Sequence, residues 1–146
     1  HAEIVDQHQI AGGFWFITTK KERAKQGRHL GEWAACQPQA KGVRLIAVLD
    51  HETNPRDFED CIWTLLNNID PERDVQMIEN FNAESIFIMD GTPKLSQEGF
   101  SRAWPDKITM DEAVKRKVDG LMPKLGLAAF NRNAERLEEA KEVTMR

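Results

Sequence analysis

The residues of this chain best suited to chemistry stand where its short apolar runs stop. Asp50-His51-Glu52 closes the run V-R-L-I-A-V-L, Glu79-Asn80 closes a second, Asp90 a third, and Thr18-Thr19 an aromatic one. If those runs are strands of an open α/β sheet, these side chains gather outside the carboxyl ends, where such sheets bind ligands. A histidine between two carboxylates can move a proton or take a metal ion, and a small hydrolase using His51 and Glu52 is one reading. The plainer account of His51 is a polar loop leading into a helix cap. Metal is weaker still, because His1, His8, His29 and His51 show no H-x-x-x-H spacing and the cysteines no C-x-x-C. The chain has no G-x-G-x-x-G, no Walker loop and no G-x-S-x-G, so a nucleotide-binding or triad enzyme has no support.

The elements that position these residues follow from periodicity. Residues 43–50 form a near-continuous apolar run, as in a strand buried on both faces. Phe58, Cys61, Ile62, Leu65 and Ile69 recur at helical spacing and give one buried face. Asn54 is the expected N-cap, with Pro55 at the first helical position and Asp57 in the first turn. Residues 74–79 read as a second strand. Strand, helix and strand make a βαβ unit with a right-handed crossover. The expected fold is therefore α/β: a small sheet, mostly parallel or mixed, with helices packed on it. Trp63 lies off the helix stripe, so it packs under a loop or meets a partner chain.

Around that unit, residues 1–12 are polar without a clear period and read as a lead-in or linker. Residues 14–19 are a strand with Phe14 and Phe16 on one face and Trp15 and Ile17 on the other. Residues 20–37 read as a helix. Its Gly27 and Gly31, four apart, mark either a close-packing seam or merely weak helix. The basic run K-K-E-R-A-K at its start is either a phosphate seat or, more plainly, a solvated helix end. Residues 85–89 form a further strand, and Asp90-Gly91-Thr92-Pro93 a turn. Residues 94–107 are polar with Phe100 and Trp104 as anchors. Thr109 and Glu112 have the capping-box spacing ahead of a helix that carries Met110, Val114, Val118, Leu121 and Leu125 on one face, with Gly126 at its end. Residues 131–146 are charged and helix-prone, and Leu137 is among their few apolar side chains. One domain over residues 13–130, with a tail helix over 131–146, is the expected organisation.

Composition sets the outer limits. The 146 residues suffice for one domain with a core, and 40% apolar against 30% charged residues is an ordinary globular balance. The net charge of −4 argues against duplex nucleic acid as a partner. No apolar run approaches the roughly 20 residues of a membrane span. Cys36 and Cys61 both fall in predicted helices and are expected reduced and buried, as in a cytoplasmic protein. The chain opens at His1 without an initiator methionine and reads as a piece of something longer; a processed or tagged terminus is the plainer alternative.

The stretch V-R-L-I-A-V-L-D-H-E-T-N-P-R-D-F-E-D-C-I-W-T-L-L-N-N-I-D-P-E-R-D-V resembles the C-terminal domain of UbiD-type decarboxylases, the carboxy-lyases of ubiquinone and menaquinone biosynthesis and of related aromatic acids. The features that carry it are Asp50, Asn54, Asp57, Trp63, Asp70-Pro71, Arg73-Asp74 and Glu79-Asn80, followed by I-F-I-M-D-G-T-P-K, F-S-R-A-W-P and K-L-G-L. The likeness runs over residues 3–130, and D-G-T and R-A-W-P look most like the menaquinone-type branch. Asn68-Ile69 departs from the pattern, standing where many members carry an Arg before Asp-Pro. The resemblance implies that prenylated FMN, a divalent metal and the catalytic residues belong to upstream domains, and that this chain holds no cofactor and does not decarboxylate alone. It implies a domain that drives homo-oligomerisation and lends one wall to a substrate pocket. On that analogy the wall is the loop over residues 81–94, with Phe81, Asp90, Thr92 and Lys94 on it. His51, Glu79 and Asn80 would stand at its rim, and Trp63, Phe100 and Leu137 at the interface. A stand-alone self-association module is the alternative.

Overall fold

The computed structural model describes residues 2–10, 13–80, 82–101 and 110–126. Phe81, Trp104, Thr109 and Leu137 lie outside them. The chain divides into two compact units, His1–Trp104 and Pro105–Arg146, where the sequence reading ran one domain on to residue 130.

The first unit is a five-stranded mixed sheet with strands β1 Ile4–Ile10, β2 Phe14–Thr19, β3 Leu45–Asp50, β4 Val75–Glu79 and β5 Ser85–Asp90 in the order β1-β2-β3-β5-β4. β2, β3 and β5 run parallel; β1 and β4 are antiparallel edges. The expected α/β sheet is present, but its βαβ connections differ from the expected one. Helix α1 (Gln26–Ala35) links β2 to β3, and β3 finds its parallel partner in β5 rather than in residues 75–79. Those residues instead fold back as a hairpin on β5. The five-residue break between β4 and β5 allows only an antiparallel return.

The segment read as a lead-in is β1. Its side chains alternate, with Ile4, Asp6, His8 and Ile10 half-buried and the residues between them exposed. Polar Asp6 and His8 on the inward side and apolar Val5 on the outer one hid the period. β2 is thereby an interior strand, and its two apolar faces are used as expected. Trp15 and Ile17 join Leu30, Ala34, Ile46, Val48, Ile86 and Ile88 under α1. Phe16 joins Ala47, Leu49, Cys61 and Leu65 under helix α2 (Phe58–Asn68), with Phe14 at the margin. Alternation at period two and helical spacing thus meet in two layers around one sheet.

Helix boundaries differ from those expected, each for a local reason. α1 starts at Gln26, because Lys25 adopts a left-handed conformation (φ 57°). The buried Gln26 carboxamide organises the preceding loop: its Oε1 accepts from the amides of Glu22 and Arg23, and its Nε2 donates to Thr19 Oγ1 and the Lys20 carbonyl. The N-cap of α2 is Asp57, which accepts from the Asp60 amide at 3.0 Å, while Asn54 Oδ1 closes a turn on the Arg56 amide. A one-turn helix α3 (Pro71–Asp74), capped by Asp70, leads into β4. Cys61 is buried, but Cys36 falls just past α1 and is exposed.

In the second unit, helix α4 (Glu112–Leu121) is capped by Asp111, whose carboxylate accepts from the Ala113 amide. Met110, Val114, Val118, Leu121 and Leu125 are all exposed. Gly126 (φ 70°) closes the 3-10 turn Pro123–Leu125. No described helix is long and apolar enough to cross a membrane.

Candidate functional site

Because β2, β3 and β5 are parallel, their carboxyl ends share one side of the sheet and bring Thr19, Asp50 and Asp90 there. β4 enters that side at its start, which delivers Arg73 and Asp74. Glu79 and Asn80 therefore sit at the opposite end, beside Ser85, and are not part of this rim. Asn80 has a local task there. Its Oδ1 accepts from the amides of Asn82 and Glu84, and its Nδ2 donates to Glu84 Oε2. That bond, with one from the Gly42 amide, holds the Glu84 carboxyl below its usual range.

At the carboxyl end the structure builds a buried polar cluster around Asp90. Asp90 Oδ1 accepts from the Thr92 amide at 3.0 Å and from the Thr92 hydroxyl; Oδ2 accepts from the Arg28 amide of α1 at 3.2 Å. Lys94 is 3% exposed. Its Nζ donates to the Asp90 carbonyl at 2.6 Å and lies 3.3 Å from both Asp74 Oδ1 and Asp90 Oδ1. Lys21, equally enclosed, donates to Thr92 Oγ1 and to Glu98 Oε1, both at 3.0 Å. Arg73 pairs with Asp74 through Nε at 2.9 Å and a terminal nitrogen at 2.7 Å. Three cations, Lys21, Arg73 and Lys94, thus face three carboxylates, Asp74, Asp90 and Glu98.

The electrostatics follow from this matching. Burial pushes the Asp74 carboxyl up, but bonds from Arg73, the Asp70 amide and Lys94 outweigh it and leave it below the usual carboxylate range. Burial likewise raises Glu98, and the amides of Leu95 and Lys25 with the Lys21 ammonium bring it below. Charge pairs that are hydrogen-bonded on every side hold buried ions. They also tie up the lone pairs and protons that catalysis would use. This cluster fixes chain segments relative to one another; it does not present a free base or nucleophile.

The predicted wall residues Asp90, Thr92 and Lys94 are thus brought together, but with their polar atoms turned inward. Lys21, Asp74 and Glu98 complete the group. The doublet Lys20-Lys21 had looked like solvated charge, and Asp74 like a strand start. No periodic signal marks a lysine that reaches across 71 residues to Thr92. The basic run ahead of α1 does meet anions, but they are internal: Lys21 Nζ and the Lys25 amide donate to Glu98 Oε1, and Arg23 pairs with Glu3. His51 is exposed and its Nδ1 lies 2.9 Å from Asp50 Oδ1, apart from the cluster's bonds. Thr18 commits its hydroxyl to the Asp6 carbonyl of β1, and Thr19 to the Glu3 carbonyl just ahead of it. Trp63 is 55% exposed on the outer side of α2, next to Leu66 at 66%, and Phe100 is half-buried.

The cluster's own residues do not form a set of metal ligands. Among the described residues no group of three His, Cys, Asp or Glu is placed to hold a metal ion, and the three acids of the cluster have lysines and an arginine between them. A recess beside β1 is lined by Gln7, His8, Gln9, Trp15 and Gln39, with no lysine or arginine for a flavin phosphate.

The comparisons with known proteins agree with this architecture. Residues 2–97 match the family described as 3-octaprenyl-4-hydroxybenzoate carboxy-lyase C-terminal domain, UbiD_C. An uncharacterised protein of Aquifex aeolicus is 31% identical over 146 residues, covering 86% of this chain and 29% of that protein. One of Archaeoglobus fulgidus is 28% identical over 137 residues, covering 83% and 28%. The chain therefore spans less than a third of the length of these relatives. Among solved structures, the vanillic acid decarboxylase of Sedimentibacter hydroxybenzoicus in open form superposes with a TM-score of 0.68 at 19% identity, over 84% of this chain and 30% of that one. An evolved dimeric form of the UbiD-class enzyme HmfF from Pelotomaculum thermopropionicum, in complex with prFMN, gives 0.61 at 20% identity, over 78% and 25%. At such identities the likeness is one of fold. The family match takes in all five strands and the turn that carries Asp90, Thr92 and Lys94, and this chain belongs to the family of 3-octaprenyl-4-hydroxybenzoate carboxy-lyase C-terminal domains.

Proposed function

We propose that this chain is the C-terminal domain of a UbiD-class, prenylated-FMN-dependent decarboxylase of aromatic or unsaturated acids, of the quinone-biosynthesis type. The reactive groups, the flavin and a divalent metal belong to preceding domains of a cytoplasmic parent protein. This domain contributes one wall of the substrate pocket and part of a homo-oligomer interface. The observation that carries the reading is the family match over residues 2–97 in a chain that spans less than a third of its relatives. The locked cluster at the carboxyl end supports a positioning rather than a reacting role, since cofactors supply the hard chemistry in such enzymes. When prenylated FMN is bound in the parent, it supplies the electron sink for loss of carbon dioxide.

The test compares two polypeptides: the full product of the reading frame that contains these residues, and this 146-residue chain. With prenylated FMN, a divalent metal and a panel of aromatic and unsaturated acids, carbon dioxide release is expected from the first alone. Release by the short chain overturns the assignment of roles. A start codon immediately ahead of His1 favours the second reading, a self-association module, which exposed Trp63 and Leu66 on α2 support. Sedimentation separates the interface claim from the catalytic one: a strict monomer at high concentration removes it under both.

A further inference from the structure

We infer that residues 92–99 form a strap held shut over the carboxyl end of the sheet by charge, able to open as a unit while the sheet stays folded. The bonds described between this segment and the rest of its unit share one property. Each has a charged side chain at one end: Lys94 to Asp74 and to Asp90, Lys21 to Thr92 and to Glu98, Glu98 to the Lys25 amide, Asp90 to Thr92. The last backbone-to-backbone tie ahead of the strap is one residue earlier, from the Gly91 amide to the Val48 carbonyl at 2.8 Å. Within the strap the amides of Glu98 and Gly99 bond only a few residues back, to Leu95 and Ser96.

The two ends of the strap differ. Gly91 is clamped: a Cβ there would lie 2.9 Å from Leu49 Cδ2 and 3.0 Å from Leu65 Cδ1. Gly99 adopts φ 84°, with open space where a Cβ would lie. Between them Lys94 fastens the strap to α3 and Lys21 fastens it to the loop before α1. Lys21 lies outside the segment, so its removal takes away the ties to Thr92 and Glu98 without altering the strap's own sequence. Local opening of this kind is set by the few bonds that hold a segment and not by the stability of the core beneath it. The inference concerns the mechanics of this chain and stands independently of the parent's reaction.

The experiment is native-state hydrogen exchange on the 146-residue chain and on Lys21→Met, which keeps the buried stem and removes the charge. Exchange at the amides of Thr92 and Lys25, whose acceptors Asp90 and Glu98 lie across the border of the strap, is expected to accelerate by about tenfold or more, with the amides of β3 unchanged. Equal acceleration in the strap and in β3, or none in the strap, overturns the inference. If Lys21→Met does not fold, Glu98→Gln decides. It keeps one oxygen for the Lys25 amide and removes the charge that faces Lys21; because the Leu95 amide loses its own acceptor in this variant, the required acceleration is read at the Thr92 amide, with β3 again unchanged.

Discussion

Gly27 lies directly against the Asp90 carboxylate: a Cβ on Gly27 would stand 2.2 Å from Oδ1 and 2.5 Å from Cγ. Four residues on, a Cβ on Gly31 would meet Ile88 Cγ2 at 2.4 Å. Of the two readings of this glycine pair, the close-packing seam is the one the structure adopts. The backbone of α1 at Gly27 and Gly31 rests on side chains of β5, and Asp90 reaches the helix start only because Gly27 has no side chain.

Gly27→Ala should therefore destabilise the first unit by about 3 kcal/mol through overpacking, against the usual gain from replacing a helical glycine. Gly120 in α4 meets nothing within 4 Å, and Gly120→Ala should instead raise the helicity of α4, by about 0.5–1 kcal/mol of propensity. Urea denaturation checks the first and circular dichroism the second.

Lys94→Met should cost about 3–5 kcal/mol, because Asp74 and Asp90 are left facing one another without the ammonium between them. The surface pair of Arg56 and Asp6, with both side chains well exposed, should matter far less: Arg56→Met is expected to leave the denaturation midpoint nearly unchanged. Denaturation midpoints of the two variants measure the contrast.

Acid should weaken the first unit in a defined window. Asp74 and Glu98 have folded-state pKa values below their ordinary ones. Their contribution is therefore complete above the unfolded values and is lost as pH falls through the folded ones, that is, below roughly pH 4. The groups facing them are the cations Lys21, Arg73 and Lys94 with Asp90. A denaturation midpoint that is flat from pH 7 to about 5 and drops below about 4 is expected. A decline beginning near pH 6 would point to a histidine instead.

Asp57→Ala should cost about 1 kcal/mol as the loss of an N-cap, and Asn54→Ala less than that, since Asn54 closes only an exposed turn. Thermal denaturation of both variants locates the working cap of α2.

What could be read from the sequence was what periodicity encodes. The two-faced apolar pattern of residues 14–17, the run ending at Asp50 and the face of Cys61 and Leu65 each settle a layer, and each is where expected. Strand direction was not encoded in this way. Residues 75–79 have the same composition whether parallel or antiparallel, and only the pairing with β5 decides that Asp74, and not Glu79, reaches the carboxyl end. The cluster was half legible. Asp90, Thr92 and Lys94 stood out by motif, while Lys21 and Glu98 are ordinary surface types whose burial depends on contacts more than 70 residues apart. α2 began later than expected because Asp57 and Asn54 are both good caps, and local chemistry does not rank them.

The antiparallel edge β1 makes the first residues of this chain part of its folding unit. A version trimmed to begin at Gly13 would leave Phe14–Thr19 outermost, with bulky side chains above and below and a bare row of amides along its border. Such a segment recruits foreign chains into sheets. The smallest well-behaved piece of this protein therefore starts ahead of Ile4.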